Sequence, residues 1–327
     1  MAHERKLHDR SAASQRLAGV VALLGLLLAV RAQAAAVVVS SRQDGRVVDL
    51  QLASDALRTT VATRILLPRD WDAQPNARWP VLYLLHGAKF DKSDPTPNST
   101  LWSTQTDLVA FTADSNLLVV MPEGGNDGWY SDWYNDGANG APGWETFHLD
   151  ELRGVLEQQF RASSVRAIAG VSMGGFGALS YAARHPGLFR AAASYSGDLD
   201  SVGAWFLTSL PSFFNGDNMD LVWGNLLFSL ARWSAHNPTA LAGALTSIPL
   251  FVACGNGAPG PLDAPGAASD LLEQAVAPTS LTFVAALAAR NPLLTTDFYG
   301  SGTHSWPYWQ REFHRSFPLL LRALGRQ

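Results

Sequence analysis

The chain has one cysteine, Cys254, in 327 residues. No intrachain disulfide can form, and there is no cysteine cluster to hold a metal centre. Charge is also scarce. Asp, Glu, Lys and Arg make up 16% of the residues, and the formal net charge is −4. That balance offers no basic surface for nucleic acid. The eight histidines show no H-E-x-x-H or comparable ligand spacing, so no metal and no cofactor is expected. Internal repeats are absent, and no linker is long enough to separate a pair of domains.

What is present begins with a separate N-terminal object. Arg5, Lys6, Arg10 and Arg16 precede the apolar run "LAGVVALLGLLLAV" (17–30), and "AQA" (32–34) follows it. A basic region, an apolar run and small residues at an A-x-A site have the order of a secretory signal peptide. Fourteen apolar residues are short for a bilayer span. Residues 1–34 are therefore expected to be removed, leaving no stable membrane span and a secreted or otherwise extracytoplasmic protein. Removal takes away five basic and two acidic residues and leaves 19 basic against 26 acidic ones.

Residues 35–327 read as one domain. Hydrophobic residues form 47% of the chain, enough for a large core. Strand-like runs are "VATRILLP" (61–68), "WPVLYLLHG" (79–87), "NLLVVMPEGG" (116–125), "VRAIAGVS" (165–172), "FRAAASYSGD" (189–198), "IPLFVACGNG" (248–257) and "TTDFYGSG" (295–302). Several are unbroken rather than alternating, as in strands covered on both faces of a parallel sheet. Helical patterns lie between them. In "WETFHLDELRGVLEQQF" (144–160), Leu149, Leu152, Leu156 and Phe160 share a face. "GGFGALSYAARH" (174–185) is rich in small residues. "QREFHRSFPLLLRAL" (310–324) predicts a terminal helix bent or broken near Pro318. This alternation predicts a mostly parallel, doubly wound α/β sheet. Residues 199–246 fit it less well. Their aromatic residues predict a helical insertion, placed before the strand 248–254, that could also cap a pocket.

Ligands bind at the carboxyl ends of parallel strands. The run 165–171 leads into Gly170-x-Ser172-x-Gly174 and then a helix. A tight strand-to-helix turn of this kind exposes a nucleophilic serine at the helix N-terminus. Ser172 needs a base, and His304 in "GSGTHSWPYW" follows the last predicted strand, where the order serine, acid, histidine places it. The acid falls between them; Asp263, Asp270 and Glu273 are candidates, and proximity to the strand end favours Asp263. The oxyanion donors are the Met173 N–H and an N–H from the loop "LLHGAKF", where Ala88 follows Gly87.

With these residues placed, the sequence resembles the esterase D / antigen 85 group of α/β-hydrolases from about residue 46 to 317. The segment "GVSMGGFGAL" matches the group's nucleophile region. "VVMPEGGNDGWYSDWY" (119–134), "WETF" (144–147), "CGNG" (254–257) and "GTHSWPYW" (302–309) resemble the antigen 85 mycolyltransferases in the same order. The resemblance implies an α/β-hydrolase fold and, through "SDLLEQ", Glu273 as the triad acid in place of Asp263. It also places His86, Lys89 and Trp306 as substrate-binding candidates, with a structural role in shaping its own turn the stronger reading for His86. The antigen 85 loop reads Leu-Asp-Gly-Leu-Arg where this chain has Leu85-His86-Gly87-Ala88-Lys89, so the aspartate and arginine that help hold trehalose are replaced. The expectation is a serine carboxylic-ester hydrolase acting on a small-molecule or lipid ester. Acyl transfer to a sugar or glycerol hydroxyl is the alternative, and a non-catalytic binding protein on the same scaffold is the remote one.

Overall fold

Strand formation follows from which faces are covered. The computed structural model describes residues 36–326; the expected leader, residues 1–34, lies outside them. Four central strands, β4 (Trp79–Leu85), β5 (Leu118–Pro122), β7 (Ala192–Tyr195) and β8 (Leu250–Cys254), are buried at every position. Their unbroken apolar runs are the signature of a sheet sandwiched between helices. With β1 (Val37–Asp44), β2 (Val47–Ser54), β3 (Thr59–Leu66), β6 (Ala162–Val171) and β9 (Leu294–Phe298), they form one nine-stranded sheet in the order β1-β2-β3-β5-β4-β6-β7-β8-β9. The strands from β5 to β9 across the sheet run parallel, and β1, β2 and β3 form an antiparallel edge.

β1 and β2 lie outside the strand-like runs recognised from sequence. Both carry polar residues at alternate or successive positions. Their signal is the turn between them, "DGR", in which Gly45 has φ +55°. An Asp-Gly pair between two strands is a strong local hairpin mark.

Successive side chains of β4 feed two cores. Val81, Tyr83 and Leu85 face one layer, together with Phe176, Leu179 and Phe283 of the Met173–Arg184 and Leu271–Leu287 helices. Leu82 and Leu84 face the other, against Trp102, Phe313 and Phe317. The Trp306–Ala323 helix continues through Pro318 and is not broken there. Pro318 is exposed, while buried Phe317 and Leu320 hold the helix to the sheet. The pattern at 144–160 is helical but includes a π turn at Phe147–Leu152.

Residues 199–246 form the helices Trp205–Asn215, Met219–Trp223 and Leu226–Ser234. Trp223 and Trp233 are buried and join the same core as Trp129 and Phe176. Trp205, Phe206, Phe213, Phe214 and Phe228 remain exposed. The sheet reverses its order around β4, which has β5 on one side and β6 on the other. The carboxyl ends of β4 and β6 therefore meet at the topological switch point. Among the described residues, no helix is long and apolar enough to cross a membrane.

Candidate active site

Ser172 follows β6 directly and caps the Met173–Arg184 helix, with φ 54° and ψ −123°. A non-glycine residue held there stores about 1–3 kcal/mol of strain. Neighbouring glycines make the turn possible. A methyl group on Gly170 would lie 2.1 Å from the Gly174 carbonyl oxygen, and one on Gly174 would lie 2.5 Å from the carbonyl oxygens of both Leu85 and His86. The helix thus starts in contact with the end of β4. Gly174→Ala is expected to cost at least ~1–3 kcal/mol of stability, as overpacking does, and to slow fluorophosphonate labelling of Ser172. A variant that melts and labels like the parent would contradict this account.

The loop after β4 lies over the serine; a methyl group on Gly87 would sit 3.1 Å from Ser172 Cβ. Several backbone groups of the loop are held by hydrogen bonds. Trp102 Nε1 donates to the Leu85 carbonyl at 3.0 Å, and the Tyr130 hydroxyl to that of His86 at 2.9 Å. The Lys89 N–H donates to the Asn126 carbonyl at 2.8 Å. His86 Nε2 accepts the Gly124 N–H at 2.8 Å, which leaves Nδ1 to donate to the Gly87 carbonyl at 2.7 Å. Burial lowers the His86 pKa and favours this neutral tautomer. Fixing the Gly87 carbonyl also fixes the Ala88 N–H on the opposite side of the same planar peptide. Among the described residues, neither the Ala88 nor the Met173 N–H has a hydrogen-bond partner.

These bonds bear on two of the substrate-binding candidates. His86 is buried, with both ring nitrogens bound to backbone, as a turn-shaping role requires, and it is not among the walls of the cleft beside Ser172. Lys89 Nζ donates to the carbonyls of Asp94 and Thr96 at 2.6 and 2.8 Å and pairs with the Asp94 carboxylate at 3.2 Å. Its charge is committed to its own loop. Trp306 is half-buried, edge-on to Trp102 and Trp309.

All three candidate acids reach the His304 segment, and they do different things there. Glu273 Oε2 accepts from His304 Nδ1 at 2.7 Å. Glu273 Oε1 accepts from Ser196 Oγ at 2.8 Å and from the Gly255 N–H at 2.6 Å. Burial pushes the Glu273 carboxyl up, but its bond to His304 and these donors outweigh burial and hold its pKa below the ordinary value. Asp270 caps the Leu271–Leu287 helix, accepting the N–H groups of Leu272 and Glu273, and it also accepts the His304 N–H at 2.9 Å. Asp263 accepts from Thr303 Oγ1 at 2.5 Å and from the Tyr308 hydroxyl at 2.8 Å, bracing the turn before the histidine. Only Glu273 meets the imidazole. Ser172 Oγ and His304 share no hydrogen bond among the described residues; such bonds are often long before substrate arrives. Ser196, which sequence reasoning missed, also accepts the Trp309 indole N–H at 3.1 Å. Its signal was its place at the end of β7, beside β6.

Beside Ser172 lies a narrow cleft with about 20 Å³ of free volume, little more than one water occupies. Ala88, Met173, Trp129, Asp198 and Val276 are among its walls. Phe90, Leu207 and Leu272 are shared with an adjoining groove of about 440 Å³, whose remaining walls are Leu210, Phe214, Leu271 and Ala275. Among the described residues, no group of three or more His, Cys, Asp or Glu is arranged to hold a metal ion.

A family profile described as "Putative esterase" matches residues 54–320. The chain belongs to this esterase family. It is 34% identical over 237 residues to the diacylglycerol acyltransferase/mycolyltransferase Ag85B of Mycolicibacterium smegmatis, covering 68% of this chain and 72% of the relative. It is 33% identical over 263 residues to Ag85A of Mycobacterium tuberculosis, covering 76% and 75%. The esterase fold is also that of MPT51 from Mycobacterium tuberculosis, with a TM-score of 0.67 at 24% identity over 83% of this chain and 95% of that one. An S-formylglutathione hydrolase from Agrobacterium tumefaciens gives 0.66 at 17% identity over 88% and 99%. The protein is an α/β-hydrolase-fold enzyme of the serine esterase or acyltransferase type.

Proposed function

We propose that the protein is a serine carboxylic-ester hydrolase working through an acyl-enzyme on Ser172. The observation that carries this reading is the buried pair Glu273–His304, joined at 2.7 Å at the same end of the sheet as the strained Ser172 turn. Ser172 Oγ attacks the ester carbonyl carbon, and its proton passes to His304 Nε2. Glu273 holds the Nδ1 proton and stabilises the imidazolium. The N–H groups of Ala88 and Met173 receive the oxyanion. As the tetrahedral adduct collapses, His304 gives its proton to the departing alcohol and the acyl group stays on Ser172. Water then attacks with His304 as base, and the acid leaves.

The apolar groove of about 440 Å³ suits the acyl chain. Phe214 belongs both to that groove and to the exposed aromatic residues of the Trp205–Asn215 helix. Such a surface beside the site favours a lipid ester as substrate.

Acyl transfer shares every step up to the acyl-enzyme, and the mycolyltransferase relatives at 33–34% identity favour it. Against it stands Lys89, whose cation is held by its own loop and is not free to grip a sugar. We expect water to be the main acceptor. The check is to follow nitrophenyl-ester turnover while trehalose, glucose or glycerol is titrated and the acyl products are weighed by mass spectrometry. If any of these acceptors captures most of the acyl group at millimolar concentration, transfer is the function.

A further inference from the structure

Two tyrosines pack behind the Glu273–His304 pair, and the steps above give them no part. The Tyr299 and Tyr308 rings lie within 3° of parallel, with centroids 5.5 Å apart. They rest on glycine backbone. A methyl group on Gly302 would lie 2.5 Å from Tyr299 Cε2 and 2.7 Å from Tyr308 Cε1, and one on Gly255 would lie 3.0 Å from Tyr299 Cε2. Gly255 gives its N–H to Glu273, and Gly302 stands just before Thr303 and His304. The two glycine turns are joined to each other. The Gly257 N–H donates to the Gly302 carbonyl at 3.0 Å, and the Gly302 N–H to that of Ala258 at 2.7 Å. Each tyrosine hydroxyl also reaches the site. That of Tyr299 lies 3.5 Å from Glu273 Oε1, and that of Tyr308 donates to Asp263, which accepts from Thr303.

Arg311 lies over both rings, its guanidinium carbon 4.3 Å from the Tyr299 centroid and 5.1 Å from that of Tyr308. Its Nε donates to Glu312 Oε1 at 2.7 Å, and the same oxygen accepts from Arg315 Nη1 at 3.0 Å. Glu312 is fully buried, and its Oε2 has no hydrogen-bond partner among the described residues. Burial pushes its pKa up to about 7 in spite of both arginines. A buried carboxylate kept at that cost asks for a reason. We propose that Arg311 is a positioning residue: anchored by Glu312, it clamps Tyr299 and Tyr308 onto the Gly255 and Gly302 turns and so keeps Glu273 aligned with the His304 imidazole. The inference rests on the acyl-enzyme reading above. A guanidinium suits the task, because its planar face stacks on a ring while its edge still donates. Neither Arg311 nor Glu312 is among the walls of the cleft or the groove, so neither has a direct part in holding substrate there.

The test measures kcat and KM for a nitrophenyl ester at about pH 8, where Glu312 is mostly ionised, with active enzyme counted by fluorophosphonate titration. Arg311→Met should lower kcat by roughly tenfold to a hundredfold and leave KM within about twofold, since alignment is lost and the groove is not. Arg311→Lys should recover part of the loss, because a charge stays over the rings while the planar fork does not. Arg315→Met removes the other partner of Glu312 but lies over neither ring, and it should cost far less. In a Glu273→Gln background the loss from Arg311→Met should shrink to about twofold or less, because the alignment it protects is already gone. A merely structural role costs the same in both backgrounds. If Arg311→Met does not fold, Arg311→Met with Glu312→Gln leaves no lone buried charge and serves the same comparison. A kcat for Arg311→Met within about twofold of the parent, an equal loss at Arg315→Met, or full additivity with Glu273→Gln overturns the proposal alone. Absence of any ester turnover by the parent, or a fluorophosphonate adduct away from Ser172, overturns the acyl-enzyme reading and this proposal with it.

Discussion

Ser172→Ala is expected to lower kcat for a nitrophenyl ester by about 10⁴-fold or more, the scale at which triad nucleophiles act. The size follows from what remains. Without the hydroxyl, His304 has no attached nucleophile to deprotonate, and hydrolysis falls back on water placed near the N–H groups of Ala88 and Met173. Those donors and substrate binding alone keep roughly 10³–10⁴-fold over solution. KM should move little, because the groove walls at Leu207, Leu210 and Leu272 are untouched. Adding His304→Ala to this variant should cost almost nothing more, since the members act as a unit. Fluorophosphonate treatment followed by peptide mapping should place the adduct on Ser172 in the parent. An adduct on another serine, or near-normal turnover by the alanine variant, would remove Ser172 from the mechanism.

The second large effect belongs to Glu273→Gln, for which a loss of about 10⁴-fold in kcat is expected. The amide fits the same space, but the surrounding donors decide its orientation. Ser196 Oγ and the Gly255 N–H both donate to Oε1, so the amide oxygen must lie there. Its NH₂ then faces His304 Nδ1 and requires that nitrogen to accept. The proton moves to Nε2, and the imidazole can no longer take one from Ser172. Asp263→Ala should cost far less, since that carboxylate braces Thr303 and Tyr308 and does not touch the ring. Asp270→Ala should fall between, because it removes a helix cap worth about 1 kcal/mol and frees the His304 backbone. A larger loss at Asp263 than at Glu273 would reverse these assignments.

Some of this was legible in the chain. Ser172 and His304 stand out because their signals are local: a buried strand running into G-x-S-x-G, and a histidine just past the last strand. The carboxylate partner of the imidazole was not readable from position, because Asp263, Asp270 and Glu273 all converge on the same few residues around His304. What separates them is which oxygen meets the ring, a matter of helix rotation and capping that spacing does not encode. Only the family resemblance singled out Glu273. The same gap applies to Lys89: it lies on the right loop, but its side chain bonds backward into it, as does that of His86, for which a role in shaping the turn was the stronger reading. Ser196 and Asp198 were overlooked because their nearness to the site depends on β7 lying next to β6, which is known only once the strand order is. β1 and β2 escaped because strands at a sheet edge do not need long apolar runs.

The crowding around Ser172 has a consequence for how such an enzyme can diverge. Gly170 and Gly174 cannot gain even a methyl group without striking carbonyl oxygens 2.1–2.5 Å away. The turn that presents Ser172 is therefore closed to innovation, and so is the chemistry it performs. The Trp205–Asn215 and Leu226–Ser234 helices are in the opposite position. Trp205, Phe206, Phe213, Leu227 and Phe228 are each more than half exposed, and replacing them disturbs no packed interior. Heritable change can accumulate there at small cost in stability, and Leu207 and Leu210 of the first helix carry it to the groove wall. A lineage built on this scaffold is free to exchange one ester for another while the reaction stays the same.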